Sequence, residues 1–153
     1  MPDPLTVWSE PVLAEWIDYN GHLSEPYYVL VLGHATDAVM DAVGLGPAYR
    51  EAAQASLYTV EAHVRYLDQV GPGELLEARS WVIGSTPKLL WIWHELYAAG
   101  SLRATEEILG VHVGTDPDTA TARTTPFPAE VAAAIEAARV PPPPEASRSI
   151  LVS

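Results

Sequence analysis

Five consecutive positions, Asp18-Tyr19-Asn20-Gly21-His22, set a carboxylate, an amide, a glycine and an imidazole close together. Ser24, Glu25 and Pro26 follow at once, and these are N-cap and first-turn residues of a helix. A carboxylate beside the unpaired N–H groups of a helix start is equipped for acyl transfer. The acid attacks a carbonyl or draws a proton from water, and the amides stabilise the oxyanion that forms. Asp-x-Asn-Gly is equally the composition of an Asx-type turn, in which Asp18 and Asn20 shape the backbone and His22 packs beneath it. Both readings stand at this level.

A second cluster is Glu61 and His63. Two apart on a strand, they point the same way and could act as an acid–base pair. His94 and His112 could approach that face from later strands, although hydrogen-bonded core histidines are the ordinary alternative. There is no H-E-x-x-H and no Cys-x-x-Cys, so no metal site is expected. Trp91 and Trp93 alternate onto one face, and Trp16, Tyr27, Tyr28, Tyr58 and Tyr66 add aromatic surface. Such rings build a core or an interface, or they cage a quaternary ammonium at roughly 0.5 to 2 kcal/mol per ring.

The elements that must position these groups are legible from periodicity. Tyr27, Leu30, Val31, His34, Ala35, Ala38, Val39 and Val43 recur at helical spacing, so a helix is expected over about 26–43 with Gly44 and Gly46 as its stop. The period then changes to two from Leu57 to Leu67. Tyr58, Val60, Ala62, Val64 and Tyr66 are expected on one face, with Thr59, Glu61, His63 and Arg65 on the other. Strands through "ELLEARSWVIG", "KLLWIWHELYAA" and "LRATEEILGVHVG" follow, and the four are expected to form an antiparallel meander. "PAEVAAAIEAARV" reads as a short helix that Pro141 to Pro144 must end. One domain over 1–140 and a Pro-rich tail over 141–153, its last nine or so residues disordered, complete the expectation. A first strand, a long helix and four more strands make an α+β layer arrangement.

Bulk properties narrow the function classes. The 153 residues suit one core, 48 % are apolar, and no apolar run reaches the roughly 18 needed to span a bilayer. The first ten residues carry no signal-like basic and apolar stretch. There is no cysteine, which excludes disulfides and thiolate chemistry and points to a cytoplasmic location. Eight basic against 20 acidic residues give a net charge of −12, which argues against nucleic acid. A phosphate-bearing ligand would need one of Arg50, Arg65, Arg79, Lys88, Arg103, Arg123, Arg139 or Arg148.

The stretches "WIDYNGHL", "YYVLVLGHATDAVMDAVGLG" and "LYTVEAHVRYLDQV" resemble the hot-dog-fold acyl-CoA thioesterases of the 4-hydroxybenzoyl-CoA thioesterase-like branch, over about residues 5 to 115. Within that branch they are most similar to the thioesterase domain joined to some bacterial carnitine dehydrogenases, which acts on betainyl-CoA. The resemblance implies a five-stranded antiparallel sheet wrapped around one long central helix, with a short C-terminal helix added. It also implies a homodimer or homotetramer, with sheets joined edge to edge and active sites at the interface. Asp18 would be the catalytic carboxylate, as general base or nucleophile. The backbone from Gly21 to Ser24 would polarise the thioester carbonyl, and Asn20 or His22 would orient the turn. Glu61 and His63 fall on the strand where other branches carry functional groups. Trp16, Ser24, Tyr27, Tyr58, Thr59, Trp91 and Trp93 are candidate substrate contacts, and Arg65, Lys88 and Arg103 candidate phosphate partners. The only coenzyme implied is the coenzyme A of the substrate. Related sequences carry paired asparagines after Gly-His, whereas this chain reads Leu23-Ser24-Glu25-Pro26. Two other activities suit the same scaffold: acyl-CoA binding without hydrolysis, and dehydration of a hydroxyacyl thioester by a histidine with a carboxylate.

Overall fold

The structure, a computed structural model, describes residues 1–146 and 150. Strand β1 (Thr6–Pro11) and a 3₁₀ turn (Ala14–Trp16) lead to helix α1 (Glu25–Ala42). Helix α2 (Pro47–Ala53), strands β2 (Ala55–Tyr66), β3 (Leu75–Ser85), β4 (Leu89–Ala98), β5 (Ser101–Thr115) and β6 (Ala122–Thr124), and helix α3 (Ala129–Ala138) follow. The long helix lies within one residue of the expected span. Helix α2 was not foreseen: Gly46 ends the long helical pattern, but Pro47 then opens a new two-turn helix.

The sheet order is β1-β3-β4-β5-β2, antiparallel throughout, with short β6 continuing beside β5. This corrects the expected meander. Only β3, β4 and β5 follow one another, while β2 crosses over to the far edge and pairs β5. Consecutive strands usually neighbour each other, and here an intervening pairing displaces them.

One face of the sheet packs on α1. Tyr28, Val31, Leu32, Ala35 and Val39 of the helix bury against Leu76, Ala78, Leu96 and Ala104 at one end and Val82, Ile92 and Ile108 at the other. Helix α3 covers the second end through Val131 and Ile135. The opposite, outer face carries a smaller apolar group of Trp81, Ile83 and Trp93, against which Trp91, Val140 and Ala146 pack. The start of the expected Pro-rich tail lies along the sheet: the Val140 amide just before it donates to the Val82 carbonyl at 2.9 Å, and Ala146 packs with Trp81, Ile83 and Trp93. Of the tail segment expected to be disordered, residues 147–149 and 151–153 lie outside the described residues.

Strand β2 contains a bulge. Thr59 pairs Gly110 and Glu61 pairs Leu109, which leaves Val60 without a partner. Because one residue is inserted, Thr59 and Glu61 face opposite ways. Leu57, Thr59, Ala62, Val64 and Tyr66 face α1, and Tyr58, Glu61, His63 and Arg65 face outward. The strict alternation expected from the sequence is overturned there: Tyr58 and Ala62 do not share a face, and neither do Thr59 and Glu61. Gly110 sits opposite the bulge, where a Cβ would come within 2.6 Å of the Leu57 side chain.

Candidate active site

The Asp18 segment forms the turn that its composition suggests. Asp18 Oδ1 accepts the Asn20 amide at 2.8 Å and the His22 amide at 3.4 Å, and the Gly21 amide donates to the Asp18 carbonyl at 3.0 Å. Gly21 sits at φ +80°, a conformation that a glycine adopts without strain. The turn is anchored behind: Leu23 N–H donates to Val70 O at 2.8 Å and Ser24 N–H to Trp16 O at 2.9 Å. Asp18 is half-buried, and its second oxygen, Oδ2, makes no hydrogen bond among the described residues. The bonds bear out the turn reading: Oδ1 holds the backbone of the turn, while Oδ2 accepts nothing among the described residues.

The expected oxyanion donors are corrected by the same bonds. The amides of Gly21, Leu23 and Ser24 are committed to backbone carbonyls, and that of His22 to Asp18. Pro26 has no N–H. The amide left at the helix entry is that of Glu25, for which no acceptor is present among the described residues. Ser24 occupies the N-cap position with extended backbone, but its hydroxyl caps no amide. Trp16, 7 % exposed, stacks on Tyr27 with centroids 5.4 Å apart and forms the floor beneath the turn.

Strand β2 meets this region from the side. Tyr66 Oη donates to Glu25 Oε1 at 3.3 Å and its ring packs edge-on against Tyr28. From there a cleft of about 670 Å³ runs between α1 and the sheet, lined by Pro26, Val29, Leu30, Asp37, Thr59 and Glu106 among others. Glu106 was not foreseen. It is 4 % exposed, and burial pushes its carboxyl up to about 7. The only signal available was the Glu106-Glu107 pair inside an apolar strand, which must send one carboxylate to each face.

The remaining candidates are spread more widely. Glu61 and His63 do share a face, but it is the outer one, where His63 Nδ1 lies 3.5 Å from Glu107 Oε1. Within one subunit they stand across the sheet from α1. Trp91 and Trp93 are also on the outer face, donating to Glu107 at 3.2 Å and Glu95 at 2.9 Å, so the expected aromatic cage does not form beside the turn. Tyr58 is exposed near Arg50. Arg65 lines an outer-face cavity with Arg79, Trp81 and Trp93, and Lys88 is exposed at the β3–β4 turn. Arg103 is not available to a phosphate: it pairs with Glu74 at 3.0 Å and donates to the Ala98 and Gln69 carbonyls.

His94 and His112 are structural. His94 is fully buried with Thr36 Oγ1 at 2.9 Å from Nε2 and Ser80 Oγ at 2.7 Å from Nδ1, and burial lowers it to about 3. His112 contacts the Tyr49 hydroxyl at 2.8 Å and the Thr125 carbonyl at 2.7 Å. With both ring nitrogens engaged in each case, neither is free to shuttle a proton.

A single antiparallel sheet packed on one long helix has counterparts among known proteins. The chain matches the family described as the thioesterase-like superfamily over residues 12–135 and belongs to it. It is a thioester hydrolase of the hot-dog fold. More particularly, it is 42 % identical over 140 residues to the betainyl-CoA thioesterase of Pseudomonas aeruginosa, covering 90 % of this chain and 85 % of that protein. It is 34 % identical over 135 residues to the L-carnitine dehydrogenase/betainyl-CoA thioesterase of Rhizobium meliloti, covering 87 % of this chain and 26 % of that longer protein. Among solved structures, a hypothetical protein of Staphylococcus aureus in complex with CoA superposes with a TM-score of 0.81 at 21 % identity, covering 96 % and 94 % of the two chains. A putative thioesterase of Pseudomonas putida gives 0.74 at 26 % identity, covering 99 % of each. Among the described residues no single helix is long and apolar enough to cross a membrane.

Proposed function

We propose that this protein hydrolyses betainyl-CoA to betaine and coenzyme A, with the free Oδ2 of Asp18 as the working atom. That free oxygen is the observation that carries the mechanism, and the similarity to betainyl-CoA thioesterase supports the acyl group. Asp18 Oδ2 takes a proton from water as the water oxygen adds to the thioester carbon, or adds to that carbon itself and is freed by water afterwards. In either route the carbonyl oxygen gains negative charge, and the Glu25 amide at the positive end of α1 stabilises it. Collapse breaks the C–S bond and releases the thiolate of coenzyme A. Arg65 and Lys88, neither of which has an ion pair among the described residues, are the partners proposed for the phosphates of coenzyme A.

A homo-oligomer belongs to this proposal. The sheet ends at β2, an edge strand with Tyr58 53 % and Val60 57 % exposed, and a second copy paired there would cover both. The Glu61 and His63 face would then stand at the subunit boundary. Light scattering on the purified protein checks it, since a monomer at micromolar concentration is incompatible with an interface through β2.

The activity is tested by release of free thiol from an acyl-CoA panel. Hydrolysis of betainyl-CoA that falls at least about a hundredfold in Asp18→Asn is the expected result. Undiminished turnover in that variant removes Asp18 from the mechanism, and binding without thiol release favours a carrier role. A single turnover in oxygen-18 water separates the two routes, because label enters the Asp18 carboxyl only if that group attacks.

A further inference from the structure

Four residues run across the inner face of the sheet in one row: Ser80, His94, Glu106 and Val64, paired in register on β3, β4, β5 and β2. The polar groups of this row are satisfied with one exception. Ser80 bonds His94, and His94 bonds Thr36 of α1. Glu106 makes no hydrogen bond or ion pair among the described residues although it is 4 % exposed. Its carboxyl oxygens are not sealed off but open on the cleft, so a ligand entering there meets a carboxyl held in largely apolar surroundings.

The surroundings state what would complete it. The cleft that Glu106 lines is walled by Val29, Leu30, Met40, Leu57, Ala62 and Ile108, and its other acid is Asp37. The one imidazole in the lining, His34, lies 2.6 Å from Glu10. A cation fits this field. A quaternary ammonium fits the walls as well, because its methyl groups pack on aliphatic side chains and it has no N–H to satisfy. Position agrees: Glu106 is close enough to Tyr66 for its charge to help keep that phenol protonated, behind the larger effects of burial and of Glu25, and Tyr66 Oη bonds Glu25 at the helix entry. Tyr66 thus senses Glu106 on one side and bonds the helix entry on the other, which puts the cleft and the Asp18 turn on the same side of the sheet.

We propose that Glu106 is the residue that selects the acyl group, its carboxylate receiving the quaternary ammonium of a cationic acyl chain in the cleft between α1 and β2. This rests on the thioesterase reading and assigns its specificity to one side chain. Bound cation favours the ionised carboxyl, so binding and ionisation assist each other. The titratable groups around Glu106 are His34 and Asp37 of α1 in the cleft lining, Tyr66 of β2, and His94 opposite it on β4, and His94 stays neutral.

The test compares betainyl-CoA with 3,3-dimethylbutanoyl-CoA, in which carbon replaces nitrogen without change of shape. In Glu106→Gln, kcat/KM for the cationic substrate is expected to fall about a hundredfold, mostly through KM, while the neutral one stays within about twofold. Glu106→Asp should recover part of the preference. The unaltered protein supplies a second measurement that needs no variant: the ratio of the two kcat/KM values should rise with pH through about 7, and any pH effect common to both substrates cancels from that ratio. An equal fall for both substrates would make Glu106 part of the common machinery and overturn the proposal, as would a ratio unaffected by variant and pH. Should the protein hydrolyse neither thioester, the thioesterase reading fails instead. Calorimetry with a non-hydrolysable betainyl thioether of coenzyme A then decides on Glu106, with binding at least tenfold tighter to the unaltered protein than to Glu106→Gln expected, and equal binding refuting it.

Discussion

Glu106 and Glu107 are neighbours on β5, both nearly shut from water, and they meet opposite faces of the sheet. Glu107, 1 % exposed, accepts the indole N–H of Trp91 and faces the His63 ring. Glu106 accepts no hydrogen bond among the described residues and lines an open cleft. Burial is the same and the local sequence is the same, so neither distinguishes a functional acid from a structural one. The account of hydrogen-bond partners does. The contrast extends to the two faces. The inner face carries the turn, the helix entry and the cleft, whereas the outer face spends its aromatic and acidic groups on one another and on the segment 141–146.

An outer face that set the chemistry would erase the distinction between Glu106 and Glu107. Asp18→Asn should show the largest effect, a loss of about 10² to 10⁴ in kcat with an unchanged melting temperature, read by thiol release and thermal melting. Trp93→Ala, on the outer face, should destabilise by roughly 3 to 5 kcal/mol in denaturant titrations while leaving the betainyl preference intact. A changed preference would move the substrate site to the other side of the sheet.

The pH dependence of stability separates two groups of the inner row. His94 is lowered to about 3 from an ordinary 6.5, so the unfolded chain binds more protons between these values, and stability is lost as pH falls through that window. Glu106 is raised to about 7 from 4.5, so the folded chain binds more protons there, and its contribution is present below about 4.5 and lost as pH rises to 7. Glu106→Gln should therefore gain on the unaltered protein as pH rises from 4.5 to 7, by at most about 3 kcal/mol in denaturant titrations at pH 8. The smallest effect is expected from Glu107→Gln, about 1 kcal/mol at constant substrate preference, since an amide oxygen still accepts from Trp91.

Much of the site was legible because it is local. The Asx turn, the glycine at positive φ and the start of α1 each depend on residues within four or five positions, and they lie where the sequence places them. Two features escaped because they depend on pairing across the chain. The bulge at Val60 arises where β2 meets Gly110 of β5, and nothing in the alternation of Leu57 to Leu67 marks it. The commitment of the Gly21, Leu23 and Ser24 amides likewise needs distant acceptors such as Val70. For the tryptophans, the spacing of Trp91 and Trp93 announces a shared face without saying which one.

By itself the sequence determined the chemistry available: an aspartate in a turn ahead of a long helix, strands of known period, and two adjacent glutamates obliged to point apart. Only the tertiary structure decided which glutamate meets the helix, which amides stay unspent and which face the aromatic residues cover. The physical reason is range. Turns, caps and periodicity come from sterics and hydrogen bonds between near neighbours, while burial and the pairing of polar groups follow from the order β1-β3-β4-β5-β2, which joins residues far apart in the chain.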